Sequence, residues 1–457
     1  MVRPRTPSRR PLLVALGCAI IAAGAGAPAV RAAEPVIPAP VSGDPGDPGE
    51  PVTSANADAP GFIPSLEPPA FSLGGYIDVG FADADGDGTS FHPDDHRLPA
   101  DYAVDPFMTA VNSRGDVAST ASGGHLTNGF LPRSAGLGGK PSFLINTLAL
   151  DVRRGAPGDA LLVFARVQLV PRLDRDGSQT HVFVEQAFGR VQPFDAHELM
   201  LFVGKFDSVF GIEYLENQAN LRVGVTPSLL ARYTTGTSIG AKLLYRLPLE
   251  QLASVASLNL AATNSAPFIE VLQAPDVSLT GRPALSARIG YELNLPGLQI
   301  KAGGSALRAA RNDQGDPDTL VRGYGADLRI HLPALSLTGE YVRVDEDRGI
   351  AADKLTGAGM QILPSGFHVR GFWGELDATL PAGSEVFRRT IVYVRGEQRR
   401  GWFEGFAQIL VRRFTLGVRL DLGDSVALKL ETLLNREYEG APNVDNDVRT
   451  ASLVWSF

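Results

Sequence analysis

The sequence contains one cysteine in 457 residues, Cys18, and it lies in an N-terminal stretch that reads as an export leader. The rest of the chain therefore has no disulfide, no zinc-thiolate site and no cysteine nucleophile. Histidine is scarce as well: seven scattered residues offer little for a Ser/His or Asp/His catalytic cluster. Beyond the leader no apolar run reaches the roughly 20 residues of a membrane-spanning helix, because charged residues interrupt every apolar stretch. A net charge of −8 gives no basic balance for nucleic acid. Yet 44% of the residues are hydrophobic. An apolar content that is ample but never continuous suits strands that alternate between two environments.

In the leader, Arg3, Arg5, Arg9 and Arg10 form the basic region and Leu12 to Ala23 the apolar core. Small-residue sites follow, which predicts cleavage after Ala32, with Ala29 second, and a signal peptide over 1–32. Ala15-Leu16-Gly17-Cys18 has the outline of a lipobox, but Leu16 fits it poorly and the apolar run continues past Cys18. Residues 33–70, with Asp44-Pro45-Gly46-Asp47-Pro48-Gly49, are too poor in core-forming side chains to fold, and predict a flexible Pro/Gly-rich periplasmic linker.

From Phe71 to the end, alternation takes over. Phe414, Leu416, Val418, Leu420 and Leu422 share one face of a strand, while Arg413, Thr415, Arg419 and Asp421 share the other. After a Gly423-Asp424 turn the pattern resumes with Val426, Leu428 and Leu430 against Lys429 and Glu431. It predicts sixteen strands near 71–82, 142–153, 160–170, 181–192, 198–206, 234–246, 253–263, 284–294, 298–309, 320–331, 334–345, 367–379, 387–397, 407–421, 424–436 and 447–457. His181 to Gln192 alternates badly. Connections alternate between short (Leu295-Pro296-Gly297, Leu332-Pro333) and long (83–141, 207–233, 346–366). A soluble sandwich has no reason for that alternation. The expected fold is all-β: an antiparallel transmembrane β-barrel over 71–457, with long outer loops and short periplasmic turns.

The chain closes on Ala451, Leu453, Trp455 and Phe457, and this resembles the last strand of Gram-negative outer-membrane barrels. Gly204-Lys205-Phe206-Asp207, Gly211-Ile212-Glu213-Tyr214, Pro227-Ser228-Leu229-Leu230-Ala231-Arg232, Gly75-Tyr76-Ile77-Asp78-Val79-Gly80 and Trp402-Phe403-Glu404-Gly405-Phe406 extend the resemblance to the porin family of these proteins. It implies a channel for small polar solutes in the cell outer membrane. It also implies Trp455 and Phe457 as the signal for the barrel assembly machinery, outer-membrane lipid and lipopolysaccharide as surroundings, and a homotrimer. The family's third long loop folds into the lumen, which makes 207–233 the expected constriction.

Within that loop Glu213, Glu216, Arg222 and Arg232 bring both signs of charge into a short span. Opposed across a narrow pore, they would orient solutes in a transverse field. Val209, Phe210, Tyr214 and Leu215 are unusually apolar for a free surface loop. The expected pore wall is Lys242, Arg246, Arg288, Glu292, Asp327, Arg329, Arg419, Asp421, Lys429 and Glu431, with Arg166, Lys205, Lys301, Arg395, Asp78 and Glu340 on the same faces. Its modest positive excess predicts weak anion preference. No cofactor is required. Asp83, Asp85, Asp87 and Asp94 place carboxylates at calcium-loop spacing, an expected loop-stiffening calcium site in the first outer loop, or else an acidic loop tip, since a strand and not a helix precedes them. Gly236-Thr237-Ser238-Ile239-Gly240 matches a hydrolase elbow, but its serine lies in an alternating strand. Two other readings remain: a structural or adhesive barrel with a plugged lumen, and an outer-membrane-embedded hydrolase.

Overall fold

In the computed structural model the chain forms sixteen antiparallel strands in one closed ring, each paired with its neighbours in sequence and β1 paired with β16. The strands are β1 (Phe71–Ala84), β2 (Ser142–Arg154), β3 (Leu161–Asp174), β4 (Gly177–Val191), β5 (Glu198–Asp207), β6 (Thr237–Leu249), β7 (Ser254–Thr263) and β8 (Ala284–Leu295). The ring continues with β9 (Leu298–Ala310), β10 (Leu320–His331), β11 (Leu335–Glu346), β12 (Phe367–Leu380), β13 (Phe387–Phe403), β14 (Ile409–Leu422), β15 (Val426–Glu439) and β16 (Val448–Ser456). Residues 1–70, 85–141, 156–158, 175–176, 195–197, 267–281, 311–319, 347–366, 382–383, 385, 404–408 and 440–446 lie outside the described residues, and with them the expected leader, the linker, Asp85, Asp87 and Asp94.

The two faces of the wall are opposite in chemistry. On β14 Phe414 and Leu416 are half exposed, while Arg413 and Thr415, which alternate with them, are buried. The same order holds on β10, where Tyr324 and Leu328 are exposed and Asp327 and Arg329 buried. A soluble barrel turns its polar side chains out to water; this one turns them in and presents apolar side chains outward. Closure leaves no strand edge, so every strand's backbone groups pair within the ring. Those two properties together define a transmembrane β-barrel.

Two bulges explain where the alternation slips. Opposite Asp78/Val79 the register skips Asn146, and Asn146 and Thr147 are both buried. Opposite Arg166/Val167 it skips Glu185, so that consecutive Glu185 and Gln186 face inward. The poor pattern of 181–192 is this extra residue, which shifts the period by one from there on. β3 and β4 also run further than the pattern suggests: Pro171 pairs with Thr180 and Asp174 with Gly177, leaving 175–176 where a longer connection was expected. Pro171 and Gly177 read as breakers in the sequence, yet both belong to the ladder. β1 likewise runs on to Ala84, so Asp83 lies in a strand opposite Arg449 and not in the loop.

Closure is completed at the last residue. The Gly75 amide donates to the Phe457 carbonyl and the Phe457 amide to the Gly75 carbonyl, both at 3.1 Å. The side chains of Trp455 and Phe457 point out of the wall. A chain ending at Ser456 loses both bonds, and its urea unfolding midpoint is expected to fall by the equivalent of about 1–2 kcal/mol. Tryptophan fluorescence in detergent measures this, and an unmoved midpoint would show the terminal pair to be dispensable.

Candidate functional site

The segment 208–236 joins β5 to β6, and its base is closed by the Ser208 amide on the Gly236 carbonyl at 3.0 Å. It turns at Gly211, whose φ of +83° favours a residue without a side chain, and where a Cβ would collide with Glu340 and Thr234. A short 3₁₀ turn, Glu213–Glu216, follows, and the helical turn α1 (Ala231–Thr234) precedes the return to the wall. Phe210, Ile212, Leu230 and Tyr233 are almost fully buried in one cluster with Leu307, Val321, Val342, Val344, Val369 and Trp373, from β9 to β12. Burying each large side chain contributes about 1.5–3 kcal/mol. The apolar residues of this segment are thus its anchor.

A buried segment with so little regular structure needs partners for its backbone groups. Side chains around the ring supply them. Gly211 N–H donates to Ser305 Oγ at 3.1 Å, and Ile212 N–H to Glu340 Oε1 at 2.7 Å, with Trp373 Nε1 holding the other oxygen of Glu340 at 3.0 Å. Thr226 N–H donates to Glu431 Oε2 at 2.8 Å. Four cations of β13 to β15 bind carbonyls: Arg395 the oxygen of Thr226 at 3.0 Å, Arg413 that of Pro227 at 2.5 Å, and Arg419 that of Arg222 at 3.0 Å. The fourth, Lys429, bonds the carbonyls of Ala219, Arg222 and Gly224. These partners lie on β9, β11 and β13 to β15, so a segment that leaves the ring between β5 and β6 touches strands far around it.

The expected constriction charges take different positions. Glu216 faces the wall and pairs with Arg329 at 2.9 Å. Glu213 is turned into its own segment, where the Ser228 amide and hydroxyl donate to it at 2.6 and 2.5 Å. Burial pushes the Glu213 carboxyl above its ordinary value, and the two Ser228 bonds pull it back in part. Arg222 is buried and donates to the carbonyls of Asn217 and Val225 at 3.0 and 2.7 Å, curling the segment on itself. Arg232 lies on α1, and its side chain is outside the described residues. Of the four charges expected to set a transverse field, Glu213, Glu216, Arg222 and Arg232, the structure thus uses Glu213 and Arg222 to shape the loop itself, because a buried turn satisfies its own polar groups first.

The expected wall residues also divide. Arg288 forks onto Asp327, with Nη2 to Oδ1 at 2.8 Å, and reaches the Gly211 carbonyl at 3.4 Å. Arg246 pairs with Glu198 at 3.2 Å, Lys301 with Glu292 at 3.5 Å and Arg419 with Asp421 at 2.7 Å. Lys242 lies over the rings of Phe202 and Phe206, at 4.4 and 5.4 Å from their centres. Lys429 and Glu431 are not wall charges open to water: both are buried against 208–236. Lys205 shares the outward face of Leu201 and Val203 and is not among the inward residues. Ser305 and Trp373 act with this segment although nothing in the sequence singles them out, and Glu397 acts through Arg395 and Arg413. Arg395, Arg413 and Glu340 are legible as inward charges, but not as partners of a distant loop.

No family model matches the chain, and no curated protein matches it. Among solved structures it is similar to the outer membrane channel DcaP of Acinetobacter baumannii, with 11% identity, a TM-score of 0.47, and 86% of this chain and 99% of that one covered. It is similar also to the anion-selective porin from Comamonas acidovorans, with 12% identity, a TM-score of 0.45 and coverage of 85% and 99%. A third is the in-vitro folded outer membrane protein OmpT of Vibrio cholerae in its trimer form, with 10% identity, a TM-score of 0.47 and coverage of 86% and 100%. None of them decides the role of a residue here.

Proposed function

We propose that the chain is a channel of the Gram-negative outer membrane, reached through a cleaved leader, through which small hydrophilic solutes diffuse passively. The segment 208–236 folds inward and sets the size limit. The observation that carries this is the set of wall side chains, Ser305, Glu340, Arg395, Arg413, Arg419 and Lys429, that bind its backbone from strands on the far part of the ring. A polar wall facing a closed interior suits water, and a ring of this size leaves room for it. The reading assigns no chemistry to the chain, and three copies form the working unit.

Anion preference is weak in this reading, because Arg246, Lys301, Arg288 and Arg419 each have a carboxylate beside them. In a salt gradient across a planar bilayer the chloride-to-potassium permeability ratio is expected near about 2. A ratio below one would overturn the sign. Swelling of proteoliposomes in isosmotic sugars tests the passive pathway itself: rates should fall steeply from pentoses to disaccharides, whereas a rate equal to that of protein-free liposomes for every sugar would reject it.

A further inference from the structure

The hydrogen bonds that fasten 208–236 run to β9, β11 and β13 to β15. Its apex meets the ring differently. Ala219 packs on Tyr76 of β1, Ala149 of β2 and Val454 of β16, a contact between apolar atoms. Around it Glu216, Asn217, Asn220 and Leu221 keep part of their surface open. Two residues along the inner face of β2 from Ala149 comes Asp151, whose side chain is 22% exposed and so also meets the open lumen. Asp151 accepts from Nε and Nη2 of Arg166 on β3, both at 2.6 Å. Arg166 stands opposite Gln186 of β4, and the bulge beside them turns Glu185 to the same face. The apex and the inner face of β2 to β4 are thus two sides of one gap.

Much of this patch is paired: Gln168 Nε2 donates to Glu185 Oε2 and Gln186 Nε2 to Asp207 Oδ2, both at 2.5 Å. Three atoms are not. Arg166 Nη1, Gln186 Oε1 and Asn220 Oδ1 are buried and have no hydrogen-bond partner among the described residues. Arg166 and Gln186 are each 2% exposed, so bulk water does not serve them. A buried polar atom left unpaired is costly and calls for a reason. Here one atom is a donor and two are acceptors. A hydroxyl gives and takes a hydrogen bond through a single atom, so neighbouring hydroxyls of one solute answer this set. An anion would suit Nη1 but meet the carboxylates of Asp151 and Glu185. A cation would suit the two oxygens but meet Arg166 and Lys242. Aromatic rings hold both of these cations in place: Arg166 is 5.5 Å from the centre of Phe164 and Lys242 4.4 Å from that of Phe202. Phe188 stands between those rings, at 5.4 and 5.5 Å. The amide groups of Gln186 and Asn220, by contrast, turn about soft terminal torsions and can present their oxygens to a solute that enters beside Asp151.

We propose that the gap between the apex of 208–236 and β2 to β4 is a subsite for a neutral polyhydroxylated solute of monosaccharide size, whose hydroxyls accept from Arg166 Nη1 and donate to Gln186 Oε1 and Asn220 Oδ1. It rests on the channel reading given above and specifies the class of solute that the narrow part retains. The full mature chain in detergent micelles would be titrated with glucose, glucosamine and glucose 6-phosphate, with contact read by saturation-transfer NMR. Glucose should reach half-saturation at a concentration about tenfold lower than its cationic and anionic counterparts. The double variant Gln186→Met, Asn220→Ala removes both acceptors and should raise the glucose half-saturation about tenfold. Asn220→Ala alone, a change on the partly exposed apex, should raise it about threefold, while Gln299→Met near the start of β9 keeps the wild-type value. Folding is checked by the heat-modifiable gel shift. No saturable contact with glucose, equal half-saturation for all three solutes, or folded variants that bind glucose as wild type does would overturn the subsite and leave the three atoms to ordered water. Currents in planar bilayers are recorded on the same preparations. Channels without saturable glucose contact would sink the subsite alone, and saturable glucose contact without channels would sink the channel reading alone.

Discussion

Replacing Lys429 by methionine is expected to raise single-channel conductance about twofold and to make the open current flicker between levels. Lys429 is fully buried, and its ammonium group bonds the carbonyls of Ala219, Arg222 and Gly224. Methionine keeps the stem and removes every donor. The buried carbonyls of Ala219 and Gly224 then lose this donor, while that of Arg222 keeps Arg419, at a cost of about 2 kcal/mol or more. The part of 208–236 near Ala219 to Gly224 can recover solvation by leaving the wall. Strand pairing between β14, β15 and β16 does not involve the Lys429 side chain, so the barrel should survive. Lys429→Arg, which restores donors, should return conductance most of the way. Planar-bilayer recordings measure both variants, and a methionine variant with wild-type conductance would show that the pin does not hold the constriction.

The second large effect is on stability. Arg395 is buried among Glu375 at 3.4 Å, Glu431 at 3.5 Å and Glu397, while its Nη2 also binds the Thr226 carbonyl at 3.0 Å. A buried cation with three carboxylates around it is the group whose loss the site can least absorb. Arg395→Leu leaves Glu375 and Glu431 without this cation, while Glu397 keeps Arg413 at 2.5 Å, and should cost about 3–5 kcal/mol. Adding Glu431→Gln should recover part of the loss, because one unpaired buried charge is then removed; the two substitutions are strongly non-additive. Urea unfolding in detergent, followed by tryptophan fluorescence, reads both. If Arg395→Leu unfolds at the wild-type midpoint, the cluster is not holding the loop and wall together.

The fold was legible in the sequence because a strand's two-residue period reports its two environments directly. Phe414 and Leu416 against Arg413 and Thr415 gave both the face and the turn at Gly423. Where the period failed, as at Glu185, a single extra residue had shifted it, and composition carries no mark of such a bulge. The site was legible in part. Phe210 and Tyr214 announced a segment that is buried, since an exposed loop gains nothing from them. The partners were not: Thr226 and Glu431, or Pro227 and Arg413, are brought together only by closure of the ring. Glu213 and Arg222 turn into their own segment for a related reason. Charge count in a loop cannot tell a side chain facing solvent from one that folds back on its own carbonyls, as Arg222 does.

The central claim, that water fills the ring and 208–236 narrows it, is tested most directly by recording currents from the purified mature chain in a planar bilayer, beside a variant in which 213–229 is replaced by a short glycine-serine link. Steady, ohmic open steps that grow severalfold in the variant are the predicted result. A silent bilayer for both proteins, each shown to be folded, would contradict the claim.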